Sequence, residues 1–193
     1  MEIKEMVLDR FRLDGKTAVV TGGAGNIGSH TAEAFAQVGA NICIVDLPAM
    51  QERSDAVAAR LAETYGVTAK GYGCQLTDEN QVEALFAQIE RDFGSVDVVH
   101  DNAGIGGSVV PDIESWDTEH DMPHIDHWRQ VLDVNLVSVY IVAVTAARYM
   151  KKEGHGGSIV ITGSLAGQNV NQGPVYQTMD DSSYGEYSER DAA

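Results

Sequence analysis

Thr21-Gly22-Gly23-Ala24-Gly25-Asn26-Ile27-Gly28 is the segment whose residue types point most directly to chemistry. Glycines at this density let a chain turn tightly and bring its backbone against a phosphate without side-chain obstruction. Gly22, Asn26, Ile27 and Gly28 are the positions expected to touch such a ligand. A carboxylate, Asp46, follows 24 positions after Gly22, with Leu47 beside it. At the end of a strand, an acidic residue at this spacing can bond the two hydroxyls of an adenosine ribose, and it repels a phosphate placed on the 2′ oxygen. Together these residues predict a site for a nicotinamide dinucleotide, NAD in preference to NADP.

A second cluster, His120, Asp121, His124, Asp126 and His127, has ligand types that suit divalent metals. Pro123 keeps His120 and His124 off one regular helix face, so a solvated loop over a substrate cleft is expected and no metal. No Ser/His/Asp or Cys/His set is spaced for a hydrolase. Cys43 and Cys74 are the only cysteines, and Cys43 in an apolar strand reads as a reduced structural thiol.

The formal net charge of −16 argues against nucleic acid and anionic membrane surfaces as partners. Apolar runs are short, and none is expected to approach the roughly 20 residues of a membrane span. The charged start, Met1-Glu2-Ile3-Lys4-Glu5, lacks the apolar core of a signal peptide, so a cytoplasmic location is expected. Hydrophobic residues make up 44% of the 193, enough for one domain with a real core.

The elements that must position the turn alternate regularly. Strands are predicted at 17–20, 41–45, 68–73 (the weakest), 96–100 and 158–162, most of them apolar on both faces, as in a covered parallel sheet. Between them, Ile27, Thr31, Phe35 and Val38 share one helical face ended by Gly39. Val57 and Leu61 mark a second helix before Gly66. Val82, Leu85, Phe86, Ile89 and Phe93 mark a third, with Asp78 and Gln81 placed as an N-terminal capping pair. Val131, Val134, Val137, Ile141 and Val144 mark a fourth, ending near Lys151 and Lys152. Strand-helix alternation with short links implies an α/β, doubly wound parallel sheet in three layers. It is expected as a single dinucleotide-binding domain over 1–193, with an N-terminal extension at 1–12, an acidic loop at 106–127 and an irregular tail at 168–193, the fold being C-terminally incomplete.

With these motifs in place, roughly Leu13 to Gly167 resembles the short-chain dehydrogenase/reductase family, whose Rossmann-like fold carries oxidoreductases. The family's Thr-Gly-x-x-x-Gly-x-Gly turn is met with Asn26 at the middle glycine, a residue that tolerates the left-handed conformation. Its Asn-Asn-Ala-Gly appears as Asp101-Asn102-Ala103-Gly104, which the resemblance places beside the adenine ribose. Its Asp-Val after the third strand appears as Gln75-Leu76, for the adenine amino group and ring.

The resemblance also implies catalytic roles. Asn135, within Trp128-Arg129-Gln130-Val131-Leu132-Asp133-Val134-Asn135-Leu136, matches the asparagine that holds a water in the proton relay. That stretch resembles the start of the family's long interface helix, which implies a homo-dimer or homo-tetramer. Ser164, after Ser158-Ile159-Val160-Ile161-Thr162-Gly163, matches the serine that bonds the substrate oxygen. The acid/base tyrosine is expected about a dozen residues further on, with a lysine four residues after it to lower the tyrosine pKa. Tyr176 fits the spacing, but Asp180 stands in the lysine's place. Tyr187, followed by Ala192-Ala193, fits the flanking sequence, but Asp191 stands there. Arg190 is the sole basic residue after Lys152. Tyr176 is preferred on spacing. Two functions are therefore expected: an NAD-dependent oxidoreductase interconverting a secondary alcohol (polyol, sugar or similar) and a ketone, or a truncated NAD-binding module with little or no catalytic activity.

Overall fold

The computed structural model of the chain describes residues 7–106 and 125–164. They belong to two units: residues 7–103 with 137–162, and residues 104–106, 125–136 and 163–164.

In the first unit, five strands form one parallel sheet in the order β3-β2-β1-β4-β5: β1 Thr17–Thr21, β2 Asn41–Asp46, β3 Ala69–Gly73, β4 Val98–Asp101 and β5 Ser158–Ile161. The strand order reverses between β1 and β4, since the chain winds outward through β2 and β3 and then returns. Side-chain alternation divides the core into two. Ala18, Val20, Ile42 and Ile44 face α1 (Asn26–Gln37) and α2 (Gln51–Tyr65) through Ala32, Ala36, Ala58 and Leu61. Val19, Cys43, Val45 and Val99 face α3 (Glu79–Phe93) and α5 (Ser138–Glu153) through Val82, Phe86, Val142 and Ala146. This is the doubly wound, three-layer α/β architecture that the alternation predicts.

Element ends agree with the sequence to within one or two residues, and the differences lie in which faces are buried. Helix α1 turns small residues, Gly28, Ala32 and Ala36, to the sheet, and Ile27 from the expected face is 53% exposed. Small side chains let the helix that follows the turn lie close to the strands, an advantage that apolar periodicity does not register. In α5 the buried face runs through Ser138, Val142, Thr145 and Tyr149, while Val137 and Val144 from the expected stripe lie outward. The expected spacing of mostly three residues drifts around a helix of 3.6 per turn. Strand β3 is weakly patterned because Gly71 lies under α2: a Cβ there would meet the Asp55 backbone nitrogen at 2.6 Å.

Trp128–Glu153 also departs from expectation, being long and apolar enough, by length and composition alone, to cross a membrane. Within it Ile141, Val142, Ala146 and Met150 belong to the sheet core, and 33% of the apolar window is buried.

The second unit contains α4 (Ile125–Leu132), most of a π-helical turn at Asp133–Val137, and the residues after β4 and β5. The metal-type histidines at 120 and 124, Tyr176, Tyr187 and the tail at 168–193 lie outside the described residues, as does most of the acidic loop.

Candidate active site

Thr21 ends β1, and the chain then reverses into α1. Gly22 has φ 61°, a conformation that side-chain-bearing residues rarely adopt, and a Cβ there would lie 3.0 Å from Ala103 Cα. Gly25 N–H donates to the Gly22 carbonyl at 3.0 Å and closes the turn. A Cβ on Gly28 would come within 2.9 Å of Gly23 Cα. Both glycines therefore let the turn close tightly on itself and on the end of β4, where side chains would clash. Gly25 precedes α1 and no side chain caps the helix, so its first N–H groups and the positive end of its dipole are left to an anion.

Asn26 is the first residue of α1 rather than a left-handed turn residue. No non-glycine residue among those described has positive φ. The chain is already right-handed helical at this position, so the exchange of glycine for asparagine has no conformational cost. The Asn26 carbonyl accepts hydrogen bonds from Ser29 Oγ at 3.1 Å and from His30 Nδ1 at 2.7 Å.

Asp46 locks the turn to the end of β2. Its Oδ2 accepts from Ala24 N–H at 3.0 Å and its Oδ1 from Leu47 N–H at 2.8 Å. A carboxylate has about four acceptor sites, so two remain for a diol. Leu47 is exposed beside it. Neither 22–28 nor 46–52 contains lysine or arginine. Gln75 donates its backbone N–H to Gln81 Oε1 at 3.1 Å and leaves its own amide exposed. Leu76 is 8% exposed and belongs to the core beneath α3, so it can offer a ligand only an edge.

The other wall of the turn is the end of β4. Thr21 Oγ accepts from Asn102 N–H at 2.9 Å and Ala103 N–H at 3.0 Å, and donates to Asp101 Oδ1 at 2.8 Å. Asn102 Nδ2 donates to the Thr21 carbonyl at 3.2 Å, and its Oδ1 accepts from Thr162 Oγ at 3.1 Å. Because that hydroxyl spends its proton on Asn102, His100 Nε2, 2.9 Å away, is the donor to Thr162. Burial lowers the His100 pKa. Thr21, Asp101 and Thr162 are the participants that motif spacing did not single out. The one signal available was the replacement of the family's asparagine by Asp101.

In the second unit, Asn135 sits in the π-helical turn, a distortion frequent at functional sites. Its Nδ2 donates to the Ile105 carbonyl and its Oδ1 accepts from Ile105 N–H, both at 2.9 Å. The side chain thus clamps the segment after β4, Gly104 included, where a Cβ would lie 3.4 Å from Asn135 Oδ1. One lone pair and one N–H of the amide remain for a water. Ser164 follows β5 by three residues and is exposed. A separate groove lies elsewhere among the described residues. About 580 Å³ in volume, it runs along β3 past Gln51, Lys70, Tyr72 and Gln88, and it includes none of the turn.

The sequence profile of the short chain dehydrogenase family matches residues 16–178. The sorbose reductase of Candida albicans is 41% identical over 170 residues, 88% of this chain and 57% of that protein. A probable NADP-dependent mannitol dehydrogenase of Yarrowia lipolytica is 38% identical over the same shares of each chain. Among solved structures, an NAD+-bound xylitol dehydrogenase superposes with a TM-score of 0.72 at 31% identity, covering 86% of this chain and 58% of that one. The chain thus spans a little over half the length of these relatives.

Proposed function

The chain belongs to the short-chain dehydrogenase/reductase family, and on that premise we propose that it is an NAD-dependent oxidoreductase of polyols, sugars or similar secondary alcohols and their ketones. The observation that carries the reading is the glycine turn at Gly22 and Gly28, pinned by Asp46 through Ala24 N–H. Its shape fits a dinucleotide: backbone N–H groups for the pyrophosphate, a carboxylate for the ribose, and exposed Ile27 and Leu47 to cover apolar parts of the ligand. Asn102, Ala103 and Gly104 border the ribose, and Gln75 and Leu76 the adenine. The bound nicotinamide supplies hydride exchange with the carbinol carbon. On the protein side, Ser164 orients the substrate oxygen, Tyr176 exchanges its proton, and Asn135 holds the relay water with the half of its amide not spent on Ile105.

NAD is preferred over NADP because a carboxylate faces the 2′ position and no cation lies within 46–52. The relative named as NADP-dependent favours the opposite choice. Equilibrium titration with both dinucleotides tests this: NAD should bind the more tightly, and equal or tighter NADP binding rejects the proposal. A second reading of the catalysis rests on Asp180, which stands where the resemblance places a lysine. A carboxylate raises a tyrosine pKa, so a module that binds NAD with little turnover is the alternative, and a turnover assay over secondary alcohols separates the two.

The proposal includes one domain over 1–193 and no metal, nucleic-acid or membrane partner. It also includes a cytoplasmic location, supported by two free, buried cysteines. A homo-dimer or homo-tetramer is supported by the outward side of α5, where Tyr140 is 70% exposed between Val137 and Val144.

A further inference from the structure

Asp101 is buried to 1% exposure at the end of β4. Its Oδ1 takes the only proton of the Thr21 hydroxyl, and its Oδ2 has no hydrogen-bond partner among the described residues. A buried carboxylate with an orphan oxygen is an expensive group, and this one has no counter-charge among the described residues. By strand alternation it points with Val99 to the face covered by α3 and α5. The inward side chains there, Val82, Phe86, Ile89, Ser138, Val142 and Thr145, carry no charge. From β1 it meets Thr21. On β4 its neighbour His100 points to the opposite face, and burial lowers its pKa. The charged pair Lys16–Asp97 precedes the strand, about 13 Å away along the chain. Burial raises the pKa of the Asp101 carboxyl and the Thr21 hydrogen bond offsets part of that rise, which leaves it at about 6.

The position of this group gives its proton a use. Thr21 immediately precedes Gly22, and its oxygen is shared between Asp101 and the N–H groups of Asn102 and Ala103. One hydrogen bond therefore separates the carboxyl from the turn. We propose that Asp101 is a proton-dependent positioning residue for the nucleotide turn, taking up a proton from solvent as the dinucleotide pyrophosphate settles on the turn and releasing it as the site empties. Negative charge arriving on the other side of Thr21 disfavours a second, uncompensated negative charge behind it. The protonated carboxyl keeps Oδ1 as acceptor for Thr21 and places its proton on the orphan Oδ2. Asparagine at this position would hold Thr21 equally well but could not exchange a proton. The inference rests on the nucleotide-binding role proposed above.

Calorimetric titration of the intact chain with NAD, in buffers of different ionisation enthalpy and from pH 5 to 8, measures both affinity and proton uptake. The unaltered chain should take up a fraction of a proton near pH 6. Its affinity should fall about tenfold across the range for each pKa unit by which the ligand raises the carboxyl. Asp101→Asn should bind NAD with a flat profile and no uptake. Zero uptake by the unaltered chain, or the same pH slope in Asp101→Asn, overturns the assignment to Asp101 and leaves the nucleotide reading intact. Absence of NAD binding at every pH overturns both.

Discussion

Asp46 and Asp101 close two parallel strands at the same C-terminal edge of one sheet, and each holds part of the same turn, yet they are opposites. Asp46, at the end of β2, is partly exposed and accepts two backbone N–H bonds, from Ala24 and Leu47. Asp101, at the end of β4, is buried, accepts one hydroxyl and has an oxygen left orphan among the described residues. Residue type and strand position are shared, so environment alone separates a carboxylate that can hold a ligand's hydroxyls from one that holds a proton. The turn between them has one wall open to the ligand and one wall sealed into the core.

Breaking the turn itself should have the largest effect and should erase the comparison. Gly28→Val places a side chain against the backbone of Gly22 and Gly23. Overpacking of this kind costs about 1–3 kcal/mol of stability, and the displaced turn should lose most of its NAD affinity. Titration checks it, with circular dichroism to confirm the fold. Unchanged affinity in a folded variant would mean that the phosphate binds elsewhere.

The next effect isolates the sealed wall. A carboxyl held near 6 in the folded chain and near its ordinary value in the unfolded chain binds more protons when folded. The contribution of this one group to stability is therefore greatest below about pH 4, falls as pH rises towards 6 and then stays level. Asp101→Asn should remove that fall and stabilise the protein at pH 7, by at most about 2–3 kcal/mol, with no difference below pH 4. Denaturant melts at pH 4 and 7 measure it. A variant no more stable than the unaltered chain at pH 7 would place water or another compensating group at Oδ2.

The two walls were unequally legible in the sequence. Asp46 could be read because its signal is linear: glycines, a spacing and an acid at the end of an apolar strand. The five strands and their helices were legible for the same reason, as periodicity is local. The sealed wall depends on Thr21 meeting Asp101 and on Asn102 meeting Thr162, contacts made across 80 and 60 positions that no local pattern encodes. Burial of Ala32 and Ala36 in α1 was hidden because small residues pack by allowing approach. The left-handed conformation that Asn26 tolerates is not used, because the helix begins at Asn26.

The open wall is tested by Asp46→Ala. The NAD preference carried by one charged hydrogen-bond set is about 1–3 kcal/mol, and the variant should narrow it by weakening NAD more than NADP. An unaltered ratio of the two dissociation constants would show that the carboxylate serves only to hold Ala24 N–H.

A third aspartate supplies the smallest effect and fixes the sign of the other two. Asp78 caps α3 from a half-buried position. Its Oδ1 accepts from Asn80 N–H at 2.9 Å and Gln81 N–H at 3.2 Å, and its Oδ2 from Gln81 Nε2 at 3.0 Å. The reciprocal half of the expected capping pair is redirected, because Gln81 Oε1 accepts from Gln75 N–H instead of from the cap residue. The Gln81 side-chain hydrogen bond, followed by the backbone bonds, lowers the Asp78 pKa. A depressed carboxyl contributes stability above its unfolded pKa, and that stability is lost as pH falls through the folded value. Asp78→Ala should therefore lower the melting temperature by about 2–4 °C near pH 7, as the loss of one helix cap does in a chain of this size. The difference should shrink towards pH 2. Asp101→Asn should shift the melting temperature the opposite way at pH 7 and likewise converge with the unaltered chain in acid. If both variants shift it in the same direction at pH 7, hydrogen-bond count outweighs burial at Asp101, and its orphan oxygen carries no penalty.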